Sequence, residues 1–349
     1  MSGKLLDRFR QKGPSRPRSK AEREKRRRVL IVLLIVLAVV SSVSVVGYGY
    51  YDTSIRPWHQ RIVKVNGTVI EMRQFVKTLR LYGGASSPSI DLAQQVATSL
   101  EENELMRQSL ENEFDISIDE EAVDAELRGM LVSDNATDED FNEQYDNLAA
   151  NLKSNYGVSV RDLRELYIKP SLVQKELQKQ IGDRDYPATD NFDHAQVQAL
   201  LVEGSENATL MRDRWEAGEA FDTLSTDNSV SSYQRDLAAD NTTMNWVARG
   251  IKSAAFDDYT FSENTTLGVI SPTIPDTDNP DNYWLIKVIT RESRPLSETD
   301  RSTFISKAFT KWLEDAKNPE NNDIVFYLDK KGGQAKLAWA LDHVAVSKS

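Results

Sequence analysis

Asn282-Tyr283-Trp284-Leu285-Ile286-Lys287-Val288-Ile289 is the clearest strand in the chain. It is aromatic and β-branched, contains neither Gly nor Pro, and follows a run of turn-forming residues. Working outward, a second strand is predicted at Gln196-Val197-Gln198-Ala199-Leu200-Leu201-Val202. Between the two lie a helix over 205–217, a short turn at Gly218-Glu219-Ala220-Phe221, a polar loop over 226–243, and extended pieces at 245–250 and 267–271. Beyond the clearest strand, 297–316 reads as a helix with Phe304, Ala308, Phe309, Trp312 and Leu313 on one face. The tail adds a strand-like run at 324–328 and a helix over 334–341. A mixed α/β unit thus begins near His194.

Upstream the pattern is helical. Residues 182–191 read as a linker. Arg61-Ile62-Val63-Lys64-Val65-Asn66-Gly67-Thr68-Val69-Ile70 predicts a hairpin about its Asn-Gly turn. A helix follows over 71–82, with Met72, Phe75, Val76 and Leu79 inward, and another over 90–114. Ser117-Ile118-Asp119-Glu120 has the form of a capping box opening a further helix. A weaker helix is expected over 141–156, closed by Gly157. Ser159 opens the next, which runs toward Ile181 and is expected to kink at Pro170, a residue with no N–H to donate.

Charge divides the chain. Residues 1–28 hold twelve Lys or Arg against Asp7, Glu22 and Glu24, a balance of +9. The remainder therefore carries −20 of a total of −11. So acidic a body repels nucleic acid and anionic lipid, and neither is expected as its partner. Residues 29–51 contain no charge and are long enough to span a bilayer. The basic cluster Lys25-Arg26-Arg27-Arg28 flanks only the N-terminal side, which places that end in the cytoplasm. Tyr48, Tyr50 and Tyr51 fit an outer aromatic belt. The competing reading is a cleaved signal peptide, but the basic region is long for one and no A-x-A site follows. The basic tail sets topology and can touch anionic lipid of the inner leaflet. The sequence has no Cys and hence no disulfide framework. Five glycosylation sequons, at Asn66, Asn135, Asn207, Asn241 and Asn264, arise readily by chance in such a chain.

Familiar catalytic motifs are missing: there is no P-loop, dinucleotide fingerprint, H-E-x-x-H or G-x-S-x-G. His59, His194 and His343 are scattered without metal-ligand spacing, so no metal or cofactor is expected.

Six further phrases carry a resemblance. They are Ala199-Leu200-Leu201-Val202; Arg214-Trp215-Glu216-Ala217-Gly218-Glu219-Ala220-Phe221-Asp222-Thr223-Leu224; Thr243-Met244-Asn245-Trp246-Val247-Ala248-Arg249-Gly250; Phe256 with Phe261; Gly268-Val269-Ile270-Ser271-Pro272; and the 282–288 strand. In this order they resemble the parvulin-type peptidyl-prolyl isomerase domain of SurA- and PrsA-like extracytoplasmic folding factors. Val65-Asn66-Gly67-Thr68-Val69-Ile70 and its following helix resemble the start of their N-terminal chaperone domain. The resemblance implies an α+β protein: a basic cytoplasmic tail (1–28), one transmembrane helix (29–51), a linker (52–60), and a mainly helical chaperone domain (61–190). A parvulin-like domain with a small antiparallel sheet (191–294) follows, and a helical extension (295–349) packs back on the chaperone domain.

The resemblance also implies a site. Substrate-binding positions fall on Met244, Phe256, Phe261, Trp246 and Trp284, and the third member of the proline pocket becomes Lys252. Two inward histidines of the family are replaced here by Ala199 and Trp284. Ser231 and Tyr283 remain as candidates for polar assistance. Isomerisation makes and breaks no bond; a catalyst binds the twisted amide more tightly than either planar form. Two readings follow. One is a membrane-anchored isomerase, the other a chaperone holding unfolded polypeptide clients on a degenerate parvulin fold, in both cases with the main domain outside the cytoplasm. A structural subunit of an envelope assembly is a third.

Overall fold

The computed structural model describes residues 47–84, 88–226 and 246–345. The basic tail, the apolar run up to residue 46, Ser231 and Met244 lie outside the described residues. Among the described residues, no helix is long and apolar enough to cross a membrane.

The chain divides into two compact units, one of residues 1–61 with 71–73, the other of 62–70 with 74–349. In the first, residues 52–60 are wound into helical turns: a π turn over Tyr51–Ile55 and a 3-10 turn over Arg56–His59. His59 Nδ1 lies 3.0 Å from a Glu71 carboxylate oxygen, and the Met72 N–H donates to the Gln60 carbonyl.

The expected hairpin forms, β1 (Arg61–Val65) and β2 (Thr68–Glu71). Asn66 at the turn adopts φ 52, a left-handed conformation that Asn tolerates better than most residues. Helix α1 (Met72–Gly83) follows, then α2 (Ile90–Phe114), which Ser89 caps by accepting the Leu92 N–H. The cap of α3 (Glu120–Leu131) differs from the expectation: Asp119, not Ser117, accepts the N–H of Ala122. A carboxylate two residues nearer the helix competes better for the free N–H groups. Helix α4 (Asp138–Asn151) starts earlier than its apolar residues suggest, because Thr137 and Asp140 close a capping box. It runs through a π turn to Gly157, which at φ 62 ends it.

Ser159 caps α5 (Val160–Leu163), which passes through a π turn (Arg164–Ile168) into α6 (Lys169–Asp185). Pro170 sits in the first turn of α6, where its missing N–H is tolerated. The preceding π turn shifts the register instead, with Lys169 N–H bonding Arg164 O. The linker expected over 182–191 is partly helix. Gly182 continues α6 because a Cβ there would stand 2.5 Å from Ile305 Cδ1; the glycine makes room for a neighbour instead of breaking the helix.

Strand β3 (Asn191–Glu203) and strand β6 (Asn282–Pro295) pair antiparallel along their whole length, with a bulge at Gln196/Val197. Both are longer than the sequence suggests, since their polar ends are held by each other rather than by an apolar pattern. With β4 (Trp246–Ala248) and β5 (Ile274–Pro275) they form a four-stranded sheet in the order β4-β3-β6-β5. Helices α7 (Ser205–Glu216) and α8 (Phe221–Ser225) cover one face; α9 (Ala254–Thr260) contributes Phe256 to the core on the other.

The C-terminal segment returns to the helical part. Helix α10 (Glu298–Ala316) places Phe304 in a stack on Tyr186, centroids 5.1 Å apart, and Phe309 in a core with Met106, Leu110, Val173, Leu177 and Ile181. Strand β7 (Ile324–Phe326) pairs antiparallel with β1, Val63 opposite Phe326. Helix α11 (Gly333–Val344) is capped from outside, as Arg80 donates to the carbonyls of His343 and Val344 and also to Gly157. The hairpin turn is fastened the same way. Asn66 donates to Gln108 Oε1 (2.7 Å) and Asn322 Oδ1 (2.9 Å), and its own Oδ1 accepts the Asp323 N–H.

Candidate functional site

Side chains alternate across β3 and β6, so the two faces of the sheet have different inventories. Ala195, Val197, Ala199 and Leu201 share one face with Trp284, Ile286 and Val288, where Phe256 from α9 and Val247 from β4 join them. Leu200, Val202 and Leu285 face the other way, onto Ala208, Met211, Trp215, Phe221 and Leu224. Tyr283 packs against this second cluster. It therefore lies on the opposite side of the sheet from Phe256 and Trp284, and the structure does not bring this sequence candidate to the site. Neighbours in a strand cannot both serve one face.

On the first face, three candidates come together. Phe256 is fully buried, and its ring meets that of Trp284 edge-on at 5.0 Å. Phe261 is partly buried against the same cluster, with the Arg249 guanidinium 5.1 Å from its ring centre. Trp284, 3% exposed, donates its indole N–H to Ser253 Oγ (3.0 Å) and Asp276 Oδ1 (2.9 Å). Asp276 is itself buried and also accepts the Asn279 N–H. Ala199 opposes Ile286 in the ladder and is completely covered. Where the resemblance leads one to expect two polar imidazoles, the chain thus has a methyl group and an indole whose one polar atom is already engaged.

Sequence reasoning did not single out Ser253 or Asp276. A local signal existed for Asp276, which sits in the turn-rich Pro275-Asp276-Thr277-Asp278-Asn279-Pro280. Nothing in the sequence tied that turn to Trp284. Ser271, ahead of β5, is a second buried hydroxyl and bonds to β6 by accepting the Ile286 N–H at 2.8 Å. On α9, Asp257 accepts the Gly250 N–H through Oδ2 (2.8 Å), while its buried Oδ1 has no partner among the described residues. Burial pushes this carboxyl above its ordinary range, against the opposing pull of the Gly250 N–H and of Arg249.

Trp246 is held elsewhere. It lines an open cleft of about 760 Å³ with His194, Lys252, Arg294 and Ser297, and the Arg294 guanidinium covers its ring at 4.7 Å. His194 is buried, its Nδ1 2.8 Å from the Phe192 carbonyl. Lys252, read as the third pocket member, opens on this cleft.

No protein-family model matches the chain, and no curated protein does. Among solved structures it is similar to the peptidylprolyl isomerase PrsA from Bacillus anthracis, at 14% identity and TM-score 0.39, over 72% of this chain and 98% of that one. It is also similar to PrsA from Bacillus cereus (16% identity, TM-score 0.34, 84% and 95% covered). A third likeness is to a structure described among two SurA-like chaperones of Campylobacter jejuni (15% identity, TM-score 0.24, 58% and 91% covered).

Proposed function

We propose that this protein is an extracytoplasmic folding factor of the parvulin–chaperone type that holds polypeptide clients rather than isomerising their prolyl bonds. The observation carrying this reading is the filled first face of the sheet. An isomerase needs an accessible apolar pocket and polar groups aimed at the twisting amide. Here Phe256 and Ala199 are wholly covered, and the Trp284 indole occupies the face with its N–H committed to Ser253 and Asp276. The resemblance in the order of sequence phrases supports the class, and the loss of the polar set supports the non-catalytic form. The charge-free run at 29–51, beside the basic cluster, supports a single-pass anchor with the acidic body outside.

The test pairs a protease-free tetrapeptide isomerisation assay with suppression of aggregation of an unfolded client. Suppression without acceleration is the expected result. Acceleration that disappears in Phe256→Ala would show an isomerase working without the family's histidines and overturn the holding reading. Failure in both assays would remove the folding-factor class altogether.

A further inference from the structure

We propose that the cleft between the hairpin turn, α2 and the end of α10 binds a neutral polyhydroxylated ligand, a one- or two-ring unit of a glycan. The cleft measures about 390 Å³, within the roughly 300–1,000 Å³ range of small-molecule sites. Five of its eleven lining residues carry amide side chains. Gln108 and Asn112 from α2 line it together with Asn321 beyond α10, Trp312, Glu113 and Asp315.

Each group suits such a ligand. Amides are uncharged and both donate and accept, as hydroxyl groups do. Trp312 has Phe309 stacked beside it at 5.8 Å and lines the cleft as a partly exposed ring, so an apolar sugar face has a flat surface to lie on. Its indole N–H donates to no described residue, and the Asn112 side-chain amide has no hydrogen bond to one. Asn321 donates to the Asp315 carbonyl, which leaves its Oδ1 as an acceptor. The wall behind these groups is already rigid, because Gln108 is fixed by Asn66, Glu104 and Val65. A preset polar wall lowers the ordering cost of binding.

Other ligand classes fit less well. Glu113 and Asp315 repel phosphate and carboxylate ligands. Among the described residues, no group of His, Cys, Asp or Glu is arranged to hold a metal ion.

The test titrates the full chain, in a detergent without a sugar headgroup, with N,N′-diacetylchitobiose, cellobiose and maltose, read by calorimetry. Binding of at least one disaccharide is expected. It should weaken about tenfold in Asn112→Ala and in Trp312→Phe, each change removing a hydrogen-bond donor from the cleft. Asn112 is exposed and outside the Asn66 network, so its variant should fold normally, and Trp312→Phe keeps an aromatic ring beside Phe309. Absence of binding by all three sugars overturns the proposal, as does binding that neither variant weakens. If the variants instead reduce capture of an unfolded polypeptide while no sugar binds, the cleft is a peptide site and the proposal also fails. Client holding in the unmodified chain is unaffected either way, so the result stands apart from the fate of the folding-factor reading.

Discussion

The two faces of the β3–β6 ladder are equally well buried, yet they are built differently. Among the described residues, the Leu200 face is closed mainly by apolar groups, with Met211, Trp215 and Phe221 pressed on it. The Trp284 face carries buried polar atoms from Ser253, Asp276 and Ser271 within its core. An apolar face can be repacked with modest loss, since hydrophobic attraction has no direction. A face containing hydrogen-bonded polar groups has a single satisfactory arrangement, because each partner left alone keeps its desolvation penalty. The Trp284 face is therefore the more specified of the two.

The sharpest way to break this comparison is to remove the indole. Trp284→Ala should lower stability by about 3–5 kcal/mol, in the upper range for a large-to-small core change. Leu200→Ala on the other face should fall within about 2–5 kcal/mol and leave no polar group without its partner. Urea midpoints of the two variants check the difference. Equal losses, with Asp276 equally protected in both, would mean the polar partners add nothing.

A second, smaller substitution separates volume from polarity. Trp284→Phe keeps most of the ring but removes the N–H, leaving Asp276 Oδ1 and Ser253 Oγ without their donor. A loss of about 1–3 kcal/mol is expected, of the size seen for an unsatisfied buried partner. Adding Asp276→Leu to Trp284→Phe should recover part of that loss, and a double-mutant cycle in denaturant measures the coupling. Strictly additive losses would contradict the arrangement described here.

Much of this was legible in the sequence, and what was missed has a common cause. The 282–289 strand, the Asn-Gly hairpin and the helix over 90–114 follow from local pattern, and each forms as expected. Phe256 and Trp284 were read as site positions and do meet. Tyr283 falls on the other face because strand neighbours alternate in direction, which the order of the sequence phrases does not encode. Gly182 reads as the start of a linker, whereas its role depends on Ile305, far along the chain. The hydrogen bonds from Trp284 to Ser253 and Asp276, and from Asn66 to Gln108 and Asn322, likewise join residues whose local patterns say nothing of each other. Local sequence gives elements; it does not give partners brought in by tertiary packing.

The smallest effect concerns Asp257, at the margin of the specified face. Its carboxyl is raised by burial, and only one of its oxygens finds a donor. A folded-state value above the unfolded one means that the folded chain binds the proton more tightly. Stability then falls as pH rises from the ordinary aspartate range, about 3.9, through the raised folded value, and stays lower beyond it. Asp257→Asn keeps an acceptor for the Gly250 N–H and cannot ionise. It should therefore match or slightly exceed the parent in stability at neutral pH, by at most about 1 kcal/mol, within the usual range of a single substitution. The advantage should shrink as the pH drops through that window. Thermal unfolding of parent and variant at pH 4 and pH 7 measures it. A variant less stable at pH 7 than at pH 4, relative to the parent, would mean that the charged carboxylate is held favourably through Gly250 and Arg249, and that this margin of the face is as well satisfied as its centre.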